Sequence, residues 1–466
     1  MWTDRRTLVA CVVSATVLMT SAHTAHAVPS FARQTGLACS SCHTTFPELN
    51  AFGRAFKMHG YTALGMKELE EAGTGTAPPL TINRAFPLSV MLETSITRTD
   101  KQQPGTQNGN VEFPQQLSLF LAGEITPHIG TFVQATYNGQ ADHFSLDNTD
   151  IRYVDQTEIK GKEVIYGVTV NNNPTVEDPW HTTPAWGFPF ASADSAPTPA
   201  GSALVDGGLA QQVAGVGGYT LLAKHLYANV SVYRSAHIGE VQPPTNGQTM
   251  AGTIRDVAPY WRLAWQQSWG PNYIEVGTYG LWGQFVPSTL PNAPCAPNQT
   301  PPCPNPVSVS GEADRFSDYA FDTQFERPLG KDFLSAHATY IFENQQWDAT
   351  QPAGGASNRN DKLHTFRLDG IYHWRNRVSL ALGYFLTRGQ KDTSLYAPAD
   401  VSGSANGSPD SDGVRFDIGY YPWQNVRLSA QYTVYTEFNG RAHNYDGSGR
   451  DALNNNTLYL LAWLMY

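Results

Sequence analysis

The chain has 466 residues, of which 15% are charged and 12% aromatic, and its mean hydropathy is −0.35. A soluble protein of this length usually carries nearer a quarter charged residues, so the composition is unusual for one. With 40 acidic against 30 basic residues and a formal net charge of −10, we expect no nucleic-acid partner. Phosphate loops, zinc-protease motifs and nucleophile elbows are absent from the sequence, and no catalytic residue is predicted.

Residues 1–27 have the features of a secretory signal peptide. Arg5 and Arg6 precede an apolar run over 8–19, and an Ala-His-Ala cleavage site ends at Ala27. The run is too short for a membrane helix. We therefore expect an exported chain whose mature part begins at Val28.

The run Cys39-Ser40-Ser41-Cys42-His43 has the spacing of a c-type haem attachment site. Each thiol can add to one haem vinyl group, and the imidazole of His43 can then bind the iron. Half of a zinc site and a disulfide are the alternatives, but zinc normally needs four ligands and no second Cys/His pair lies nearby. The motif predicts one covalent haem c held by Cys39, Cys42 and His43.

A small α-helical haem domain is predicted over 28–72, followed by a flexible linker over 73–85. Its main helix is expected to begin near Pro47 and to stop at Gly60, with one face covering the haem. That face carries Leu49, Phe52, Phe56 and His59. A shorter helix is predicted over 64–72. A domain of this size buries little surface alone, so it should need another surface to lean on.

Two cysteines remain outside the signal peptide and the haem motif. Cys295 and Cys303 each lie beside prolines in a long polar link. Because an exported chain meets an oxidising compartment, we expect a local disulfide between them in preference to a metal site.

The rest of the chain, 86–466, shows strand-like alternation and no apolar run of membrane-helix length. We count sixteen candidate strands, joined alternately by tight turns and long polar links. The long links cover 100–110, 171–208, 235–254, 286–313, 345–361, 389–411 and 438–454, with one short exception near 139–143. Short turns on one rim and long loops on the other are typical of an outer-membrane barrel. We predict an all-β transmembrane barrel of about sixteen antiparallel strands in outer-membrane lipid, with both termini periplasmic.

Three further features fit a barrel over 86–466. Tryptophans lie near strand ends, where interfacial aromatic girdles belong: Trp261, Trp265, Trp269, Trp282, Trp374 and Trp423. The link over 171–208 is long, apolar and aromatic, so we expect it to fold inward and constrict the pore. The acidic residues Asp318, Asp322 and Glu326 share one face, where they make a lumen polar or attract divalent cations, the first being favoured.

The sixth iron ligand is sought among Met58, His59, Met66 and Met91. In the first strand Leu88, Val90, Leu92 and Ile96 form the lipid-facing phase. Met91 therefore lies in the inward, polar phase, where a thioether is out of pattern unless it meets the iron. The alternative is a flexible gap-filler against the haem domain. Met91 is preferred as the partner of His43 on the iron, and His59 is the second choice.

The N-terminal motifs resemble a known family. The run over 29–36, the motif over 39–43 and Pro47-x-Leu49-x-x-x-Gly53-x-x-Phe56-x-x-x-Gly60-Tyr61 are similar to the fused monohaem cytochrome–porins of bacterial outer membranes, typified by the Fe(II) oxidase of iron-oxidising bacteria. The resemblance implies electron transfer from an extracellular donor, first of all Fe(II), to a periplasmic c-type cytochrome, as in an Fe(II):cytochrome c oxidoreductase. Not all members oxidise iron, so the donor does not transfer with the motif.

Two other functions remain open from the sequence. One is a diffusion porin that a haem segment gates. The other is a haem enzyme such as a peroxidase, which would need an open sixth position on the iron. Reversible redox chemistry without solute leakage separates electron transfer from the porin, and ligand binding by the resting iron separates it from the enzyme.

Overall fold

The computed structural model describes residues 29–62, 86–236, 253–287 and 312–466, and the backbone of four short strands between those ranges. The predicted signal peptide, Met66, Cys295 and the side chain of Cys303 lie outside the described residues, so the structure says nothing of the predicted disulfide. No helix within the described ranges is long and apolar enough to cross a membrane.

Sixteen strands in the described part of the chain form one closed antiparallel barrel. Their bounds are β1 Leu88–Thr99, β2 Asn110–Thr126, β3 Ile129–Asn138, β4 His143–Ile159, β5 Lys162–Asn171, β6 Val213–Leu222, β7 Leu226–Ser235, β8 Ala258–Trp269, β9 Asn272–Val286, β10 Asp314–Leu329, β11 Asp332–Gln346, β12 Asn360–Trp374, β13 Val378–Gly389, β14 Ser411–Trp423, β15 Val426–Glu437 and β16 Thr457–Met465. Neighbours in the chain pair with each other, and β16 pairs with β1, with Met465 opposite Met91. The predicted sixteen-stranded antiparallel barrel is confirmed.

The connections between strands differ at the two rims, as the sequence predicts. One rim has tight turns, such as 160–161, 270–271 and 330–331, and we call it the short-turn rim. Gly161 and Gly330 take positive φ angles of 74° and 70°, which two-residue hairpin turns require. The other rim carries the long loops and is called the long-loop rim; its short connection over 139–142 is the expected exception.

The two faces of the wall carry different side chains. Along β1 buried and more exposed positions alternate, and Met91 and Glu93 point into the lumen as predicted. Large apolar side chains cover the outside, and Trp269, Trp374 and Trp423 end their strands at the short-turn rim. The last strand, whose faces alternation leaves unassigned, turns these residues inward: Tyr459, Leu461, Trp463 and Met465.

A helical segment over 29–62 fills the short-turn half of the lumen. It contains α1 Pro29–Thr35, α2 Cys39–Cys42 and α3 Ala51–Met58. The predicted start of α3 near Pro47 is wrong, because the side chain of Asn50 caps the helix by accepting from the N–H groups of Phe52 and Gly53 at 3.0 and 3.1 Å. The carbonyl of Pro47 is instead hydrogen-bonded to the ring of His43.

The predicted helix over 64–72 is wrong where the chain is described. Glu68–Glu70 forms a short strand that pairs antiparallel with Thr81–Asn83. The ladder hydrogen bonds between these strands satisfy backbone groups that a helix would otherwise pair locally. The same pairing places ordered structure within the predicted linker over 73–85.

The link between β5 and β6 folds into the barrel, as its apolar sequence predicts. We call residues 172–212 the inward loop. Val176 and Trp180 are fully buried, and the indole N–H of Trp180 donates to the Tyr273 hydroxyl at 2.6 Å. The inward loop meets the helical segment where the Lys57 ammonium donates to the Asp178 carbonyl at 2.7 Å. The loop and the segment therefore occupy the lumen from opposite rims.

Candidate functional site

A cavity lies where the helical segment, the wall and the inward loop meet. Its volume is about 320 Å³, at the lower end of the roughly 300–1,000 Å³ of common ligand pockets, and part of it is open to solvent. Cys39, Cys42 and His43 line it from the segment, Met91 lines it from β1, and His181 lines it from the inward loop. The structure thus brings together the predicted attachment motif and the preferred sixth ligand.

The ring of His43 is oriented for binding through one nitrogen. Its Nδ1 lies 2.9 Å from the carbonyl oxygen of Pro47. When Nδ1–H donates to a carbonyl, Nε2 keeps the lone pair that a metal needs. Burial lowers the pKa of His43, which keeps the imidazole neutral and able to bind.

The two cysteines bracket α2 and are not joined in a disulfide within the described structure. Burial, with the neighbouring Cys39, raises the pKa of Cys42 to about 11, so this group is a neutral thiol. Helix α3 lies directly on the motif at Gly53. A Cβ atom there would stand 2.1 Å from the carbonyl oxygen of Cys42, so only glycine allows this approach.

The predicted helix face that covers the cavity is correct only in part. Leu49 and Phe56 line the cavity, but Phe52 is 48% exposed. His59 does not line the cavity; α3 ends at Met58, and the Nδ1 of His59 lies 2.7 Å from the carbonyl oxygen of Ala55. Met58 packs elsewhere, in an apolar cluster with Trp180. Of the predicted face only Phe52 and Phe56 lie within α3, since Leu49 precedes the helix and His59 follows it.

Two cavity-lining residues were not anticipated. Met465 is the ladder neighbour of Met91 and is 3% exposed, but β16 is apolar in both phases, so alternation could not place it. His181 lies in a loop without periodicity. Its Nδ1 is 3.0 Å from the Trp186 carbonyl oxygen, and its Nε2 accepts from the Leu49 N–H at 3.2 Å. Burial lowers the pKa of His181 to about 4, so it too is neutral.

Buried charges hold the helical segment to the barrel. The Arg54 guanidinium pairs with both carboxylate oxygens of Glu326, the second at 2.9 Å. Glu48 Oε2 lies 2.9 Å from Nε2 of His373, and Oε1 lies 3.5 Å from Nε2 of His337. Burial raises the pKa of Glu48, but these imidazoles outweigh it and hold the pKa at about 2. Glu326, expected to share a polar lumen face, thus anchors the segment.

The cavity lining changes character along the barrel axis. Toward the short-turn rim it is apolar and aromatic, with Phe46, Phe120, Phe132 and Trp463. Toward the long-loop rim the lining bears oxygen, with Glu93, Gln116, Asp147 and Asn148. Because β1 rises from Leu88 to Thr99, Glu93 lies one inward position nearer the long loops than Met91. The cavity therefore offers an apolar end beside the cysteines and a polar end beyond them.

One buried cation beside the cavity lacks partners for part of its guanidinium. Arg427 pairs with Asp417 at 2.9 Å, but its Nε and Nη1 have no hydrogen-bond partner among the described residues. Its guanidinium carbon stands 5.8 and 5.9 Å from the ring centroids of Phe190 and Trp463, which line the cavity. Within the described ranges no three His, Cys, Asp or Glu side chains converge as a metal-binding group.

The fold is that of a closed antiparallel barrel whose lumen is occupied. No protein-family model and no curated protein matches this chain. Among solved structures it is similar to in-vitro folded OmpT of Vibrio cholerae, with TM-score 0.43, 11% identity, and coverage of 83% of this chain and 97% of that chain.

Two other similar structures are a porin and an outer membrane channel. An anion-selective porin from Comamonas acidovorans has TM-score 0.45, 11% identity, and coverage of 81% of this chain and 98% of that one. The outer membrane channel DcaP of Acinetobacter baumannii has TM-score 0.42, 10% identity, and coverage of 81% and 96%.

Proposed function

We propose that this protein carries electrons across the bacterial outer membrane through one covalent haem c inside the barrel. The observation that carries the proposal is the lining of a single large cavity by Cys39, Cys42 and His43. We further propose Fe(II) as the extracellular donor and a periplasmic c-type cytochrome as the acceptor, in line with the sequence resemblance. The short-turn rim would then face the periplasm and the long-loop rim the outside.

The residues present fit a covalently attached haem. Both thiols line the cavity, and the lining beside them is apolar and aromatic. Nδ1 of His43 is engaged by the Pro47 carbonyl, which leaves Nε2 for iron. The partly unpaired guanidinium of Arg427 suits an acidic haem substituent. When bound, a haem supplies reversible one-electron chemistry whose potential depends on its axial ligands.

The chain's own residues would hold this group from two sides. Cys39 and Cys42 would bear the thioether bonds, and His43 would supply one iron ligand. Met91, from the wall, is the proposed second ligand, with its neighbour Met465 and the loop residue His181 as competitors that line the same cavity. A thioether ligand raises the reduction potential relative to a second histidine. With two protein ligands on the iron, no position would be left for ligand exchange, which favours electron transfer.

The attachment is tested by covalent haem staining of the denatured protein. Cys39→Ala together with Cys42→Ala should abolish staining while the barrel still folds and runs as a compact band on unheated gels. Undiminished staining of the double variant would refute haem attachment at this motif.

The second axial ligand is tested by spectroscopy of the oxidised protein. Met91→Ala should remove the sulfur-to-iron absorption near the red end of the spectrum and lower the reduction potential. If Met465→Ala shows these changes and the spectrum and potential of Met91→Ala equal those of the parent protein, the ligand lies on β16. A change in His181→Ala alone would assign it to the inward loop.

Two alternative functions are tested separately. One is a diffusion porin that the helical segment gates, and the other is a haem enzyme, which requires an open sixth position on the iron. Single-channel conductance separates the porin, because a lumen filled by the segment and the inward loop should pass little current. Cyanide or carbon monoxide binding by the resting protein separates the enzyme, because two protein ligands would block both.

Placement in the outer membrane rests on the apolar outside of the strands and on the tryptophans at their ends. Protease added to intact cells should cut in the long loop over 390–410 and not in the turn over 330–331. Cleavage at the short turns instead would reverse the proposed orientation.

A further inference from the structure

One carboxylate in the cavity has no partner. Glu93 on β1 lines the cavity and is only 3% exposed. Among the described residues no hydrogen bond and no ion pair reaches its side chain; the charges within electrostatic range are Asp194, Arg427 and Asp147. A carboxylate is costly to bury without a partner, so these contacts do not explain its position.

Arg427 lies within electrostatic range of Glu93 and compensates its charge only in part. Arg427 forms its ion pair with Asp417, and its guanidinium lies beside the rings of Phe190 and Trp463. The acidic neighbours add negative charge instead. Asp147 is already engaged as acceptor by Thr136, at 3.0 Å, and by Gln211. Glu93 is therefore the carboxylate that faces the cavity with its oxygens uncommitted.

Other oxygen-bearing side chains stand around Glu93. Gln116 is its ladder partner on β2, and Asn148 lines the same polar end of the cavity. Carboxylate and amide oxygens are the donors that hard divalent cations prefer. The polar end thus presents one uncommitted carboxylate among neutral oxygens to an occupant of positive charge.

Further carboxylates lead from this place to the long-loop rim. Asp194 on the inward loop lies within electrostatic range of both Glu93 and Glu112. Glu112 and Ser195 line a second cavity of about 940 Å³ of empty space near the long loop over 100–109. Successive carboxylates along a cleft concentrate cations and speed their entry. The mouth of the barrel and the main cavity are therefore joined by negative charge.

We propose that Glu93 binds a hydrated divalent cation that enters from the long-loop rim past Glu112 and Asp194. The inference rests on the proposed function, since it identifies the place in the cavity where an Fe(II)-like electron donor would bind. With an oxidised haem bound as proposed, an Fe(II) ion held there would give one electron to it and leave as Fe(III), and no covalent bond would form or break. No converging group of three ligating residues exists in the described ranges, so binding is weak, as a donor that must leave requires.

The test uses the full-length, haem-loaded protein in detergent and Glu93→Gln as the variant. The matched control is Glu158→Gln, which removes an exposed carboxylate beside the turn over 160–161. Manganese(II), followed by electron paramagnetic resonance, is the binding probe. We expect Glu93→Gln to lose one weak manganese site that the control and the parent protein retain.

Stopped-flow mixing gives the second measurement. The rate constant for haem reduction by Fe(II) should fall about tenfold in Glu93→Gln, the lower end of the effect of a charged cleft on on-rates. Asp194→Asn should show a smaller fall. Reduction by hydroquinone, which is neutral, should be unchanged in both variants and in the control.

Two results would overturn the cation site. One is equal manganese binding and equal Fe(II) rates in the parent protein and Glu93→Gln. The other is an equal fall with Fe(II) and with hydroquinone, which would mean that Glu93 acts on the cavity and not on the cation. A parent protein without covalent haem would instead refute the proposed function, while the manganese comparison would still decide whether Glu93 binds a cation.

Discussion

The helical segment and the barrel wall bury opposite kinds of side chain. In the segment Glu48, Arg54 and Lys57 are buried, whereas Phe52 is half exposed. In the wall, apolar residues such as Phe321 point outward, where 64% of its side chain is accessible, and polar residues point inward. The segment is therefore not a miniature domain with an apolar core of its own. Its charged surface is complementary to a polar lumen.

This difference means that the two regions are held by different forces. The wall is a continuous ladder of backbone hydrogen bonds closed by the pairing of β16 with β1. The segment depends on a few buried ion pairs and on close contact at Gly53. Losing one partner of a buried pair leaves an uncompensated charge, which is expensive. Substitutions should therefore release the segment while the barrel stays folded.

The largest effect is expected at the pair of Arg54 and Glu326. Arg54→Met leaves a buried carboxylate without its cation and should weaken docking of the segment by about 3–5 kcal/mol. Native-state proteolysis measures this free energy as the opening of residues 29–62, and heat-modifiable gel mobility reports the barrel. Arg54→Met with Glu326→Leu should recover a large part of the loss. An unchanged cleavage rate in Arg54→Met would show that the pair does not hold the segment.

Acid should release the segment by way of Glu48. Its pKa is lowered to about 2 from an ordinary 4.5, so its contribution is complete above pH 4.5 and is lost as pH falls toward 2. The difference of 2.5 units corresponds to about 3 kcal/mol. Proteolysis by an acid-active protease across this window measures the loss. Glu48→Gln should remove the pH dependence of the docking free energy. If the dependence persists in this variant, another group is responsible for it.

Gly53→Ala should have the next largest effect. The added Cβ would stand 2.1 Å from the Cys42 carbonyl oxygen, so α3 must move off the motif. Overpacking of this kind costs about 1–3 kcal/mol. Gly370→Ala on β12 is the control, because a Cβ there meets nothing within 4 Å. Equal proteolytic stability of the two variants would contradict the close packing of α3 on α2.

The smallest effect separates the two phenylalanines of α3. Phe52 is 48% exposed, so Phe52→Ala should change the docking free energy by less than about 0.5 kcal/mol. Phe56 lines the cavity and meets the edge of Phe31 with ring centroids 5.2 Å apart, so Phe56→Ala should cost clearly more. Comparison of the two by proteolysis tests the face of α3. Comparable losses in both variants would instead support the face that helical periodicity predicts, which contains both rings.

Most of the barrel could be predicted because its signals are local. Strand alternation has a period of two residues, and turn length is visible in the sequence between strands. The inward phase of β1, including Met91, and the inward course of the loop over 171–208 followed from these patterns. The last strand was the exception, since Leu458, Leu460 and Leu464 are as apolar as the inward residues Leu461 and Met465. Alternation carries no information when both phases are apolar.

The cavity was less predictable because long-range contacts decide it. The motif over 39–43 identified three of its residues by spacing alone. Helical periodicity, however, placed His59 on the covering face. In the structure Asn50 caps the start of α3, and His59 is the residue that follows its end. His181 reaches the cavity through the path of a loop, and Met465 through closure of the barrel. Neither contact has a signal in the local sequence pattern.

The sequence by itself determined the Cys-x-x-Cys-His spacing, the number and alternation of strands, and the distinction between the two rims, because each depends on neighbouring residues and backbone geometry. Only the tertiary structure decided which side chains share the cavity, which carboxylate there lacks a partner, and what holds the segment. Those outcomes depend on pairs such as Arg54 and Glu326, which are 272 residues apart in the chain and meet only when the closed barrel surrounds the segment.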